Sequence, residues 1–342
     1  MNFLGILLFP FALIYDLITR FRNYLYNSGY KHSFEFEANV ISVGNLSVGG
    51  TGKSPMVEYL IRLFNDKKVV TLSRGYGRST RGFRLANDDD SPKTIGDEPY
   101  QFFNKFKNIH VAVGEQRAIA IPFILAEQPQ TEVILLDDAF QHRPVKPSLS
   151  ILLTDYNKPF FNDFVLPSGR LRESRKGAQR ADMIVVTKCL DSVDFQYYED
   201  NIRRYNSRAH IAFASIKYME PERISGSREF SNEVFLFSGI ANPAPLRAYV
   251  SSHYRLEGEH HFRDHHRYKL EDIAMLINAF EEVGKAKCLI TTEKDMVKLL
   301  PFIKEGHFKN IPVFYLPIET VFIKGGKRFD ETILNSLKAY SY

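Results

Sequence analysis

Short apolar runs recur along this chain, separated by stretches with helical periodicity. Val40–Val43, Lys68–Leu72, His110–Gly114, Glu132–Asp138, Ser148–Asp155 and Asp182–Lys188 read as buried strands. Between the first three lie helical patterns: Met56, Leu60, Ile61 and Phe64, then Tyr100 to Phe106. Ala118 to Glu127 gives another helix before the fourth run. Strands alternating with helices from about residue 38 to 190 predict an α/β fold, a mostly parallel sheet with helices on both faces. Further strands are predicted at His210–Ile216, Glu233–Ser238, Lys287–Thr291 and Pro312–Leu316. The polar stretch Lys217–Glu229 marks a soft boundary. The expected division is a helix over 1–30, a large domain over 31–220 and a smaller C-terminal α/β domain over 221–342.

The N-terminal pattern differs. From Met1 to Tyr15 apolar residues occupy the whole circumference of a helix, interrupted by Pro10 and Asp16. The run falls short of the ~20 residues that span a bilayer comfortably. It has no basic region before it and no small-residue cleavage site close behind, so a signal peptide is not expected. Arg20, Arg22 and Lys31 follow, interleaved with Tyr24, Tyr26 and Tyr30. Aromatic and basic residues after an apolar helix suit the headgroup layer of a membrane, so this helix is expected to lie on a membrane surface.

Composition sets limits. The chain has 342 residues, 44% hydrophobic and 25% charged, which supports a packed core and excludes bulk disorder. Its two cysteines, Cys189 and Cys288, sit in apolar runs and form no disulfide framework or metal spacing, consistent with a reducing compartment. The net charge of +5 allows anionic partners without requiring nucleic acid, and no aromatic-basic single-strand groove is visible.

The chemistry concentrates after the first strand. Ser42-Val-Gly-Asn-Leu-Ser-Val-Gly-Gly-Thr-Gly-Lys-Ser-Pro55 links that strand to a helix and has the layout of a phosphate-binding loop, the P-loop. Glycines let backbone N–H groups converge on phosphate oxygens, and a helix N-terminus adds partial positive charge. The loop is expected to bind nucleotide through Ser47, Val48, Gly49, Gly50, Thr51, Gly52, Lys53 and Ser54. Lys53 would reach the β- and γ-phosphates and Ser54 would hold Mg²⁺. The usual pattern has glycine where this chain has Ser47. Glu132-Val-Ile-Leu-Leu-Asp-Asp138 is a matching Walker-B-like strand, with Asp137 or Asp138 as the Mg²⁺ ligand.

Other candidates are less determined by spacing alone. Ser73-Arg-Gly-Tyr-Gly-Arg78 is a basic glycine-rich loop whose Arg74 and Arg78 face phosphate or merely solvent. In Gly96-Asp-Glu-Pro99, Asp97 or Glu98 is equally a helix cap and a base for a substrate hydroxyl. Arg170 and Arg172 are suited to neutralising a transferred phosphoryl group. His260, His261, His265 and His266 invite a metal reading, but their spacing does not resemble zinc ligands. Proton handling by Asp264 and His265, or a solvated loop, fits equally.

Taken together, the motifs resemble the tetraacyldisaccharide 4′-kinase family of lipid A biosynthesis. The resemblance rests on residues 42–55, Ser73-Arg-Gly-Tyr-Gly77, Gly96-Asp-Glu-Pro99, Leu136-Asp-Asp-Ala-Phe-Gln-His142, Gly169-Arg-Leu-Arg-Glu173 and Phe262-Arg-Asp-His265, in the family's order. The family is similar at Ser47. The resemblance implies ATP-dependent phosphorylation of the 4′-hydroxyl of a tetraacylated glucosamine disaccharide 1-phosphate, with Mg²⁺. It implies a catalytic set of Asp97 as base, His265 in support, and Lys53, Arg170 and Arg172 around the phosphates. It also implies two domains with the substrates meeting between them, and a position on the cytoplasmic face of the inner membrane of a Gram-negative bacterium. A monomer that binds no nucleic acid is expected. The alternative is a membrane-associated P-loop GTPase or ATPase without a lipid acceptor. Thr187-Lys-Cys-Leu-Asp191 departs from the guanine-specific N-K-x-D pattern in its first residue and in the place of its aspartate.

Overall fold

A computed structural model describes residues 3–190, 192–264, 266–308 and 311–340. The chain divides into two compact units, 1–216 with 320–342, and 217–319. The sequence pattern assigned all of 221–342 to the smaller domain, whereas residues 320–342 return to the larger unit.

The larger unit starts with two helices, α1 (Phe3–Leu7) and α2 (Phe9–Asn27). Strand β1 (Asn39–Asn45) leads through the P-loop into α3 (Lys53–Leu63). Next come β2 (Val69–Ser73), the short β3 (Arg84–Leu85), α4 (Pro92–Ile95), α5 (Asp97–Lys105), β4 (His110–Val113) and α6 (Arg117–Glu127). Strands β5 (Val133–Asp137), β6 (Leu149–Asp155) and β7 (Met183–Thr187) follow, then α7 (Phe195–Arg203) and β8 (His210–Tyr218). The runs read as strands between residues 40 and 216 therefore all form.

The smaller unit contains β9 (Glu222–Ser225), β10 (Glu233–Ser238), α8 (Ala244–His253), β11 (Arg255–His261), α9 (Leu270–Val283), β12 (Cys288–Thr292), α10 (Glu293–Lys304) and β13 (Val313–Leu316). Its sheet runs β11-β10-β12-β13-β9, parallel except for the β13–β9 pair. The chain then gives β14 (Ile318–Lys324) and α11 (Gly326–Ser336).

The nine-stranded sheet has the order β14-β8-β7-β6-β1-β5-β2-β4-β3. Its strands from β8 to β4 are parallel neighbours, and β3 is antiparallel at one edge. Central strands are buried on both faces, which explains the apolar runs Val133–Leu136 and Met183–Val186. One face packs α3, α5 and α11 through Leu60, Phe102 and Phe329. The other packs α6 through Ile121 and Ile124, and a neighbouring cluster around Phe160 and Phe213 receives α7 through Ile202.

Strand β1 sits between β5 and β6, and the register sets Val43 opposite Asp137. The P-loop and the acidic pair thus leave adjacent strands at the same edge, where ligands of parallel α/β sheets bind. Gly44 permits this closeness. A Cβ there would lie 2.7 Å from Phe140 Cβ and 2.8 Å from Phe140 N.

Candidate active site

The P-loop is braced from three sides. Asn45 Nδ2 donates to Thr51 Oγ1 at 2.7 Å. The Thr51 carbonyl accepts from Thr187 Oγ1 at 2.9 Å, and the Gly50 carbonyl accepts from the Lys188 ammonium. A peptide's C=O and N–H point in opposite directions, so tying these carbonyls outward turns the following amides toward the loop's interior. Gly52 has φ 81°, a left-handed conformation suited to glycine, and Lys53 opens α3 directly behind it.

Ser47, where the usual loop pattern has glycine, lies in the segment that the chain braces through its backbone. It is buried and bridges Leu171, while Val48 N–H donates to the Arg170 carbonyl at 2.8 Å. The Arg172 amide in turn donates to the Leu46 carbonyl at 2.7 Å. The strand-like segment 170–172 therefore seals the loop's flank.

At the end of β5, Asp138 takes the left-handed φ of 48°. Such a conformation is uncommon outside glycine and is tolerated best by Asn and Asp. Two cations hold it there. Arg172 Nη1 lies 2.9 and 3.0 Å from the two carboxylate oxygens, and Lys53 Nζ lies 3.7 Å from Oδ1. Asp137 is buried instead, and its Oδ1 has no hydrogen-bond partner. Burial and the adjacent Asp138 charge push its pKa up to about 6, against the opposing pull of Lys53. An orphaned carboxylate oxygen within the field of Lys53 suits a divalent cation, so Asp137, with Ser54 next to Lys53 in sequence, fits Mg²⁺.

The structure brings Lys53, Asp137, Asp138 and Arg172 together. It turns the Arg170 side chain elsewhere: its Nε lies 2.9 Å from Asp163 Oδ2, and Nη2 donates to the Lys158 carbonyl at 3.3 Å. What Arg170 gives the loop is its carbonyl. Asp97 opens α5 behind Gly96, whose φ is 96°. A Cβ on Gly96 would lie 3.1 Å from the Tyr76 carbonyl, so the basic loop 73–78 presses on the start of α5. The Glu98 charge also helps raise the Asp137 pKa, which places the start of α5 within electrostatic reach of the acidic pair. His265 lies outside the described residues.

Several residues here have no role assigned from the sequence. Buried Arg117, at the start of α6, donates to the Asp137 carbonyl at 3.3 Å. His142 is depressed to about 4 by burial and by the charges of Arg117, Arg74 and Arg22, so it is neutral at pH 7. Glu173 is fully buried and receives Arg180 through two bonds, of 2.8 and 3.0 Å, besides Asn23 at 2.7 Å and Gln141 at 3.1 Å. Gln141, His142 and Glu173 belong to the motif runs at 136–142 and 169–173, which was the available signal. Arg117 carried none beyond its place after a parallel strand.

Comparison with known proteins settles the family. The family model described as tetraacyldisaccharide-1-P 4′-kinase (LpxK) matches residues 4–338. The chain belongs to this family. It is 43% identical to the tetraacyldisaccharide 4′-kinase of Flavobacterium psychrophilum, over 99% of this chain and 98% of that one. It is 41% identical to the enzyme of the same name from Flavobacterium johnsoniae, with the same coverage. Among solved structures it is similar to LpxK from Aquifex aeolicus in complex with ATP, at 29% identity and a TM-score of 0.77, covering 98% of this chain and 100% of that one. LpxK members are kinases, so the GTPase alternative is not favoured.

Proposed function

We propose that this LpxK-family chain transfers the γ-phosphoryl group of ATP to the 4′-hydroxyl of a tetraacylated glucosamine disaccharide 1-phosphate. The observation that carries this reading is the convergence of Lys53, Arg172 and the Asp137–Asp138 pair beside a braced P-loop. The loop amides and Lys53 hold the β- and γ-phosphates. Ser54 and Asp137 would hold Mg²⁺, which would supply charge neutralisation at the phosphates. Asp138 aims Lys53 and Arg172.

Asp97 accepts the proton of the 4′-hydroxyl. The sugar oxygen bonds to the γ-phosphorus as the bond to the bridging oxygen breaks, and ADP leaves with that electron pair. Arg172 offsets charge on the equatorial oxygens. Arg170 acts through the loop it braces. His265 is assigned, from the family resemblance, to support of the base.

The apolar face of α2 is the element we assign to the membrane. Phe11, Ile14, Leu17, Ile18 and Phe21 are each more than half exposed, on the side opposite buried Ala12 and Thr19. Among the described residues no helix is long and apolar enough to cross a membrane. Surface attachment at the cytoplasmic leaflet of a Gram-negative inner membrane, as a monomer, fits a lipid acceptor and a water-soluble donor.

The test is transfer of label from γ-labelled ATP to the disaccharide 1-phosphate in mixed micelles. Wild type should label the lipid, and Lys53→Ala should lower the rate by two orders of magnitude or more. Nucleotide hydrolysis without labelled lipid would overturn the reading.

A further inference from the structure

We infer that Glu58 is a positioning residue that sets the distance between the phosphoryl donor site and the acceptor base. The inference rests on the reading of Asp97 as that base. Glu58 lies on α3, the helix whose first residues are Lys53 and Ser54. It is buried to 1% exposure, unusual for a carboxylate in a helix. Its partners reach across to α5, the helix that starts at Asp97. Gln101 Nε2 donates to Glu58 Oε1 at 2.8 Å, and Lys105 Nζ donates to Oε2 at 2.6 Å. Arg62, one turn along α3, approaches the same Oε2 at 3.3 Å.

The geometry gives this network a task that apolar packing cannot perform. Leu60, Ile61 and Phe102 already hold α3 and α5 on one face of the sheet. Apolar contact is non-directional and tolerates sliding along the helix axes. Hydrogen bonds to one carboxylate do not. Both ends of the site are helix starts: at about 1.5 Å rise per residue, Glu58 lies about 8 Å from Lys53 along α3, and Gln101 and Lys105 lie about 6 and 12 Å from Asp97 along α5. A slip of α5 along α3 would move Asp97 relative to Lys53 without moving the P-loop. Misplacement of about 1 Å can cost on the order of 100-fold in rate.

The test compares wild type, Glu58→Gln, a combined variant (Glu58→Met, Gln101→Met and Lys105→Met), and Asp97→Asn. Single-turnover lipid phosphorylation, ATP dissociation constant and thermal midpoint are measured for each. Replacing all buried partners of an ion-pair network by apolar side chains is often near neutral for stability, and with Gln101 replaced too no buried amide is orphaned, so the combined variant separates fastening from folding. It should bind ATP within about twofold of wild type and melt within a few degrees of it, while transfer falls about 10- to 100-fold. Glu58→Gln keeps one acceptor for Lys105 and can donate its amide N–H to the Gln101 carbonyl oxygen once that amide turns over, so it should retain most of the rate. Transfer by the combined variant within about threefold of wild type would overturn the proposal. So would a loss of transfer that only parallels loss of ATP binding or of the folded state. Undiminished transfer by Asp97→Asn would instead overturn the base reading, and the acceptor end of the proposal with it.

Discussion

Asp137 and Asp138 are neighbours in sequence with opposite environments. Asp138 is half-exposed and neutralised by Lys53 and Arg172, whereas Asp137 is buried with an unpartnered oxygen. The sequence reading left the metal ligand open between them, and this difference favours Asp137. A consequence in pH follows from its pKa of about 6. The folded state holds the proton above the usual carboxylate range, and the unfolded state has lost it by then. Stability therefore falls as pH rises through that window, by on the order of 3 kcal/mol at neutral pH without a cation. A bound cation offsets this cost only once the carboxyl is ionised. Mg²⁺ should raise the thermal midpoint more at pH 7.5 than at pH 5. Asp137→Asn should melt higher than wild type without Mg²⁺ and lose the Mg²⁺ response. An equal Mg²⁺ shift at both pH values, read by differential scanning fluorimetry, would remove Asp137 from the metal site.

At the scale of elements, the sheet depends on close approach at β1 and the site depends on what leans over it. Gly44→Ala would drive a methyl group into the Phe140 backbone. It should cost about 1–3 kcal/mol in chemical denaturation, and the displaced β5 turn should lower transfer as well. Unchanged stability would mean that the turn relaxes freely. Helix α2 shows two faces. Tyr15 donates to the Arg172 carbonyl at 3.0 Å and Asn23 to Glu173 at 2.7 Å, so one face grips the site's flank. The other presents Leu17 and Phe21. Leu17→Ser with Phe21→Ser should lower binding to anionic vesicles about 10- to 100-fold, at roughly 1.5–3 kcal/mol per buried side chain discounted for partial insertion. The thermal midpoint should not change. Undiminished co-sedimentation would assign the membrane contact to another surface.

For the molecule as a whole, what the sequence revealed follows from where local pattern and tertiary environment agree. Strands such as Val133–Asp137 and Met183–Thr187 are buried on both faces, so composition alone marked them. The P-loop and the acidic pair were legible because phosphate and metal chemistry demand fixed residue types at fixed spacing. Strand β14 was not, because its exposure is mixed and it lies beyond the smaller unit in sequence. Arg117 and His142 escaped because their roles arise from burial among distant charges, which no local pattern encodes. Arg170 looked equivalent to Arg172 in sequence. Only the fold shows one guanidinium on Asp163 and the other on Asp138.

The measurement that tests the central claim most directly is the position of the new phosphate on the lipid product, by ³¹P NMR and mass spectrometry. Wild-type protein with Mg²⁺–ATP and tetraacyldisaccharide 1-phosphate should give one added phosphate monoester, at the 4′-oxygen, together with ADP. Lys53→Ala should give neither at a comparable rate. A phosphate on another hydroxyl, or ADP formed while the lipid stays unmodified, would contradict the account.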